Sequence, residues 1–220
     1  MTLTETRPPE VARSSSAKPE PVVALKRSTI DSILVAAGAV MAVALVVAGA
    51  LLTWGASFSA DYVNDELSSQ NITFPPAGAL EEEGRTDLLD HAEESVNTGP
   101  EAEAYASFIN GHLQSIADGA TFADLGTPER EAKALVEAAI ADGADDATVA
   151  ELQGEADAIT AQRNTLFKGE TLRGLLLSAF AWATVGQIAG YAAIGAFIAG
   201  GVLLVLVLLG LRHHHKVVVQ

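Results

Sequence analysis

Two long apolar stretches without charged residues flank a polar middle region of this chain. The first extends from Ile33 to Trp54 and the second from Gly174 to Leu211, and neither contains Asp, Glu, Lys or Arg. About 20 apolar residues are enough for a helix to cross a bilayer. The pattern therefore predicts a protein anchored twice in a membrane, with its central region held on one side.

The first stretch has the features of a retained anchor. A cleavable signal peptide has an apolar core of about 7–15 residues, and this stretch is longer. The ten Leu, Ile and Val residues between Ile33 and Leu52 favour insertion by roughly 3–6 kcal/mol in total. We predict a transmembrane helix over residues 30–55.

The second stretch is too long for one simple span. As a helix it would measure about 57 Å, whereas the hydrocarbon layer is about 30 Å thick. Two spans do not fit, because the part before Gln187 is too short and Arg212 would then lie outside. We predict one span over residues 189–211. An interfacial or helix-entry segment over residues 173–188 precedes it, lying at the membrane surface or packing on the end of the first helix.

Both predicted spans carry faces of small residues, which let helix backbones approach closely in lipid. The residues predicted to pack in the membrane are Gly38, Ala42, Gly49, Gly186, Ala189, Ala193, Ala196 and Gly200. These faces predict an antiparallel pair formed by the two helices of this chain, or a face left free to dock other membrane subunits. Four residues have side chains suited to the membrane interface: Trp54, Arg173, Trp182 and Tyr191.

Charge is distributed unevenly around these stretches. The formal net charge is −15, and all acidic residues except Glu5, Glu10, Glu20 and Asp31 lie between Asp61 and Glu170. The basic residues flanking the two stretches are Arg7, Arg13, Lys18, Lys26, Arg27, Arg212 and Lys216. Basic flanks stay in the cytoplasm. We therefore predict cytoplasmic tails over residues 1–29, which we expect to be disordered, and 212–220, with an extracytoplasmic domain over residues 56–172. A domain this acidic repels nucleic acid.

Helical periodicity dominates the middle region. We expect the first helix to continue through residues 60–70 until Pro75 and Pro76 stop it. Three further helices are predicted: one opening at Pro100 with a buried stripe of Tyr105, Phe108, Ile109, His112 and Ile116; one starting at Thr127 and Pro128; and one capped by Asp145 or Asp146 and broken at Gly169. The predicted fold class is all-α, with two transmembrane helices flanking an exported acidic helical bundle and few or no strands.

The search for catalytic chemistry gives little. The chain has no cysteine, no zinc-protease or nucleophile-elbow motif and no glycine-rich phosphate or dinucleotide loop. An iron site can be imagined from His91, Glu93 and His112, although a packing role suits His112 better. Asp145 with Asp146, or the run from Glu81 to Glu83, lacks the alternating spacing of a calcium loop. We predict no catalytic residues, no metal site and no cofactor.

Three blocks of sequence carry a family resemblance: residues 71–76, residues 98–113 and residues 167–177. In these blocks the chain resembles an uncharacterised actinobacterial family of two-span membrane proteins. Its members are often labelled as a subunit of an aromatic ring-opening dioxygenase, a label that the few histidines and the spans do not support. The resemblance implies a cytoplasmic membrane location in a high-GC Gram-positive bacterium and assigns no functional residue.

These observations favour a non-enzymatic accessory or structural membrane protein, with the lipid bilayer and other membrane proteins, or further copies of itself, as partners. A respiratory or envelope complex would suit an acidic domain presented outside the membrane. The alternative is a sensor whose exported domain binds a ligand or cation between the two spans. Neither span contains an ionisable residue that could relay protons or ions.

Overall fold

The computed structural model describes residues 27–218, and within them it is helical with no named strand. Helix α1 covers Arg27–Ser69, α2 Ala77–Glu82, α3 Gly99–Ile116, α4 Gly126–Ala141 and α5 Asp146–Val218, with a 3₁₀ helix at Thr86–His91 between α2 and α3. An isolated antiparallel bridge joins Thr73 to Ser95. The predicted all-α class is confirmed for these residues. The predicted N-terminal tail lies largely outside them, whereas residues 212–218 of the predicted C-terminal tail continue α5.

Helix α5 is the element on which the others assemble. It runs without interruption for 73 residues, which corresponds to about 110 Å of helix. Helices α1, α3 and α4 each pack against it. The chain therefore forms an elongated molecule in which one helix carries three partners.

The predicted break at Gly169 is wrong. Glycine weakens a helix interior by about 0.5–1 kcal/mol, but the missing side chain here leaves room for a neighbour. The side chain of Leu113 from α3 occupies the place where a Cβ on Gly169 would lie. Packing against α3 thus outweighs the low helix propensity of glycine, and α5 continues through this position without a break.

Most of the predicted helix boundaries are confirmed. Helix α1 continues to Ser69 and stops before the prolines, and Asp145 accepts a hydrogen bond from the Thr148 amide at 2.9 Å as the cap of α5. Helix α3 opens with a capping box between Thr98 and Glu101. Helix α4 begins at Gly126, one residue before the predicted start at Thr127.

The predicted buried stripe of α3 is displaced around the helix. The residues that α3 buries are Gly99, Ala102, Ala106 and Leu113, whereas His112 is exposed. A Cβ on Gly99 would overlap Ala183 of α5, so the small residues of α3 lie closest to α5. The larger Tyr105 packs edge-on against Phe74, with ring centroids 5.1 Å apart, beneath the segment that joins α1 to α3.

That joining segment completes the main core. Leu80, Leu88 and Val96 are almost fully buried and cluster with residues of α1, α3 and α5. Arg85 fixes the segment to α3, because its guanidinium pairs with Asp87 at 2.8 Å and donates to the carbonyl oxygen of Ser107 at 2.8 Å. The core therefore lies where α1, α3 and α5 meet.

Helices α1 and α5 are antiparallel and keep one register along their whole contact. Close approaches pair Val35 with Gly210, Gly38 with Val207, Leu45 with Gly200, Gly49 with Phe197, Ala56 with Gly190 and Ser59 with Gly186. The two residue numbers add to 245 or 246 in every pair. The helices therefore stay in phase from the far apolar end to the main core.

This register predicts a specific cross-link. The Cβ atom of Ala56 lies 3.8 Å from the ideal Cβ position of Gly190, and about 3.8 Å is the mean separation in disulfides. In the cysteine-free chain, the double variant Ala56→Cys/Gly190→Cys should oxidise to an intramolecular disulfide in high yield, measured by mass spectrometry of peptides from the purified protein. The pair Gly55→Cys/Gly190→Cys is the control. Equal yields from both pairs would contradict the register.

Candidate interaction site: the helix pair and the cleft beside it

The contact between α1 and α5 follows a seven-residue repeat. On α1 the residues that turn towards α5 are Val35, Gly38, Ala42, Leu45, Gly49, Leu52, Ala56, Ser59 and Val63. Their spacing alternates between three and four, which gives an average of 3.5 residues per turn and the left-handed geometry of coiled coils. The pair is thus a continuous coiled seam rather than a single crossing.

Small residues bring the two backbones close along this seam. A Cβ on Gly49 would lie 2.9 Å from the ring of Phe197, and one on Gly186 would lie 2.8 Å from the Cβ of Ser59. Gly38, Ala42, Ala193 and Gly200 also lie in the seam, while Ala189 and Ala196 are half-buried at its edge. All eight residues predicted to pack in the membrane are therefore at or beside the contact between the two helices.

Sequence reasoning did not single out Ser59, the polar residue of the seam. Ser59 is 6% exposed, and its hydroxyl donates to the carbonyl oxygen of Trp182 at 2.6 Å. A hydroxyl that donates to a main-chain carbonyl can be buried at little cost. Its position, three residues after Ala56 and four before Val63, is the signal that would have identified it.

The outer surface of the apolar part of the pair is left uncovered. Only 11% of the most apolar window of α1 and 17% of that of α5 is buried within the described chain. The exposed side chains include Val40, Leu51, Ile188, Ile198 and Leu208. Soluble monomers rarely expose contiguous apolar surface on this scale. Both helices are long and apolar enough to cross a membrane, and neither is the buried core helix of a globular domain.

The four predicted interfacial residues lie at three levels along the helices. In the register of the pair, Trp54 lies opposite Tyr191, and their side chains are 69% and 67% exposed. Trp182 is nine residues further along α5 and Arg173 eighteen, about 14 Å and 27 Å beyond Tyr191. Arg173 pairs with Glu170 at 3.0 Å. One level therefore holds Trp54 and Tyr191 only.

Beyond this level the pair continues as a second part, here called the stalk, made of residues 55–69 of α1 and residues 172–190 of α5. A cleft of about 750 Å³ opens on one side of it, under the first turn of α3. Its walls come from residues 56–64, 97–100 and 183–194. The hollow exists because Ala56, Ala60, Gly186 and Gly190 carry little or no side chain.

A second polar feature joins α4 to α5. The carboxylate of Glu129 is 8% exposed and accepts from Lys133 at 2.7 Å, from Arg163 at 2.6 Å and from the Thr160 hydroxyl at 3.0 Å. These bonds, those from Lys133 foremost, lower the pKa of Glu129 to about 2 from its ordinary 4.5. The guanidinium of Arg163 also lies 4.0 Å from the centroid of the Phe122 ring. This cluster fixes α4 against α5.

The residues considered for metal binding do not assemble. His91, at the end of the 3₁₀ helix, pairs with Glu94 at 3.1 Å and stacks on Phe74, while His112 is exposed on α3. Among residues 29–212, whose side chains the structure describes, there is no group of three His, Asp or Glu side chains that could hold a metal ion. Asp145 serves as a helix cap, and bonds from Thr148 lower its pKa.

Comparison with known proteins does not extend these observations. No protein-family model, no curated protein and no solved structure matches the chain. The actinobacterial resemblance therefore stays a prediction, and function must be argued from the helix pair, the stalk and the acidic region.

Proposed function

We propose that the protein is a non-enzymatic, two-span membrane protein that presents an acidic helical domain outside the cytoplasmic membrane as an accessory or structural subunit. The exposed apolar surface of the α1–α5 pair carries this proposal. In water that surface would drive aggregation, whereas in a bilayer lipid covers it. The same two helices continue into the polar domain, so the anchor and the domain form one body.

The dimensions of the pair suit a bilayer. From Ile33 to Trp54 the helix rises about 32 Å, and the opposing segment from Tyr191 to Arg212 rises equally. The hydrocarbon layer is about 30 Å thick. With Trp54 and Tyr191 at the outer interface, Arg212 falls at the inner one, in line with cytoplasmic termini. Trp182, Arg173 and the segment 173–188 then stand above the membrane as part of the stalk.

The charge of the acidic region indicates what kind of partner an accessory subunit would bind. Residues 61–170 hold all the acidic side chains except four near the N-terminus. This range contains only five basic residues: Arg85, Arg130, Lys133, Arg163 and Lys168. Arg85, Lys133 and Arg163 are engaged with carboxylates of the same domain. The negative electrostatic field of the other carboxylates attracts a basic partner surface and repels anionic ones. A neighbouring membrane protein with a basic exposed domain is therefore the expected partner.

Membrane placement is tested by cysteine labelling in intact cells. The single variant Ala147→Cys, exposed near the start of α5, should react with a membrane-impermeant maleimide. The variant Ser15→Cys, in the predicted cytoplasmic tail, should react only after permeabilisation. The unmodified chain has no cysteine and supplies the blank. The opposite pattern would overturn the orientation, and labelling of both sites in a fraction released without detergent would overturn membrane insertion.

The accessory role is tested by purifying the tagged full-length chain from native membranes in mild detergent and quantifying the proteins that accompany it. A stoichiometric partner is expected. An unrelated two-span protein of similar abundance serves as the control for detergent carry-over. Recovery of the chain alone would contradict the accessory role and favour the alternative of a ligand-binding sensor, for which the stalk cleft is the supporting observation.

A further inference from the structure

The stalk cleft lies at the level where the apolar part of the helix pair ends. Its lower wall contains Ala56, just above the level of Trp54 in the register of the pair, Tyr191 at that level, and Ile194 just below it. Its upper wall contains Asp61, Asn64 and the first turn of α3. With the bilayer placed as proposed above, the lower end opens to the acyl chains and the upper end to water. The cleft is thus open to an amphiphile from the outer leaflet.

The walls differ in chemistry along this direction. The lower part of the cleft, at Ala56, Gly190 and Ile194, is built from alanine, glycine and isoleucine residues, which suit an acyl chain. The side chains of Asp61, Gln187 and Tyr191 line the cleft without a hydrogen bond to any other residue that the structure describes. These groups are free to bind a ligand's polar end.

Charge decides which polar end fits. The three segments that form the cleft, residues 56–64, 97–100 and 183–194, contain no Lys or Arg, and Asp61 is their single acidic residue. Next to them the carboxylate of Glu101 accepts from the amides of Asn97 and Thr98 at 2.8 Å and 3.0 Å. A phosphate would meet two carboxylates and no cation, whereas hydroxyl groups can donate to Asp61 and exchange hydrogen bonds with Gln187.

We propose that the stalk cleft binds one lipid with an uncharged, polyhydroxylated head group, a glycosyl diacylglycerol in chemical class. Its acyl chain lies along Ala56, Gly190 and Ile194, and its sugar hydroxyls bond to Asp61 and Gln187. The volume of about 750 Å³ is within the range of small-ligand sites, about 300–1,000 Å³. This inference rests on the membrane placement proposed above.

The test uses the full-length chain in nanodiscs of phosphatidylcholine that contain equal small amounts of monogalactosyl diacylglycerol and phosphatidylglycerol with matched acyl chains. Native mass spectrometry after release from the nanodisc reports the retained lipid. The glycolipid should be retained about tenfold over phosphatidylglycerol, the factor expected from one hydrogen bond to a charged group. Ala60→Trp, which fills the cleft, should abolish retention. Ala181→Trp, exposed and outside the cleft, should not.

A second variant addresses the charge argument. Asp61→Lys should reverse the preference in favour of phosphatidylglycerol while leaving the cleft open. Equal retention of the two lipids, or retention that Ala60→Trp does not reduce, would show non-selective annular lipid only and overturn the inference. Failure of the membrane proposal gives a different result, since the chain would then not enter nanodiscs at all.

Discussion

Replacing Gly186 by leucine is expected to separate α1 from α5 at the stalk. A Cβ at this position would lie 2.8 Å from the Cβ of Ser59 and 2.9 Å from its hydroxyl oxygen, so the helix backbones must move apart. The hydrogen bond from Ser59 to the carbonyl oxygen of Trp182 is lost with that movement. Overpacking of this kind destabilises by about 1–3 kcal/mol, and more where the backbone must shift. The thermal unfolding temperature in detergent should fall, and so should the yield of the disulfide in the Ala56→Cys/Gly190→Cys variant.

Gly195 offers a matched control on the same helix. A side chain added there meets nothing within 4 Å, because the residue faces away from the seam. Gly195→Leu should therefore leave stability unchanged or raise it slightly through the better helix propensity of leucine. If the two leucine variants lose stability equally, the seam is not what holds the two helices together.

Replacing Glu129 by glutamine is expected to release α4 from α5 while the rest of the molecule stays folded. The substitution removes the charge to which Lys133 and Arg163 donate, and both cations lose their partner. Amide exchange over residues 126–141 should accelerate by roughly tenfold, with exchange in α3 unchanged. Glu137→Gln, an exposed site on the same helix, should have no effect. Equal exchange in both variants would contradict the role of the cluster.

The same cluster predicts a pH dependence. Because the pKa of Glu129 is about 2 in the folded chain and ordinarily 4.5, the folded state favours the ionised carboxylate. Its contribution to stability is complete above pH 4.5 and is lost as the pH falls from 4.5 towards 2. Exchange in α4, corrected for the intrinsic rate, should rise across that window in the natural chain. Asp124 and Asp145 also have lowered pKa values, so the comparison with Glu129→Gln isolates the part due to Glu129.

Local patterns in the sequence predicted much of this fold. The uncharged stretches located the apolar parts of α1 and α5, and the prolines and caps located most helix ends, because these signals depend on a few neighbouring residues. The three- and four-residue spacing of Gly186, Ala189, Ala193, Ala196 and Gly200 likewise placed them on one helical face, the face that contacts α1. Such spacing identifies a face but not its partner.

What the sequence did not show depends on contacts between distant residues. Gly169 reads as a helix breaker until Leu113 of α3 is seen to fill the space beside it. Large side chains suggested the buried stripe of α3, whereas close approach to α5 selected Ala102 and Ala106 instead. The stalk cleft combines three segments separated by more than 30 residues each, so no local pattern could indicate it. The pairing of Glu129 with Arg163 is likewise visible only in three dimensions.

The unbroken course of α5 fixes the direction in which the acidic domain faces. Each residue along a helix turns the next by about 100°, so the azimuth of α4 around the axis is set by the number of residues between Arg163 and Gly186. Insertion of one residue in this interval would rotate α4 by more than a quarter turn relative to the apolar part of the α1–α5 pair, while insertion of seven would nearly restore its orientation. The length of α5 thus fixes the side of the α1–α5 pair on which the acidic surface of α4 lies.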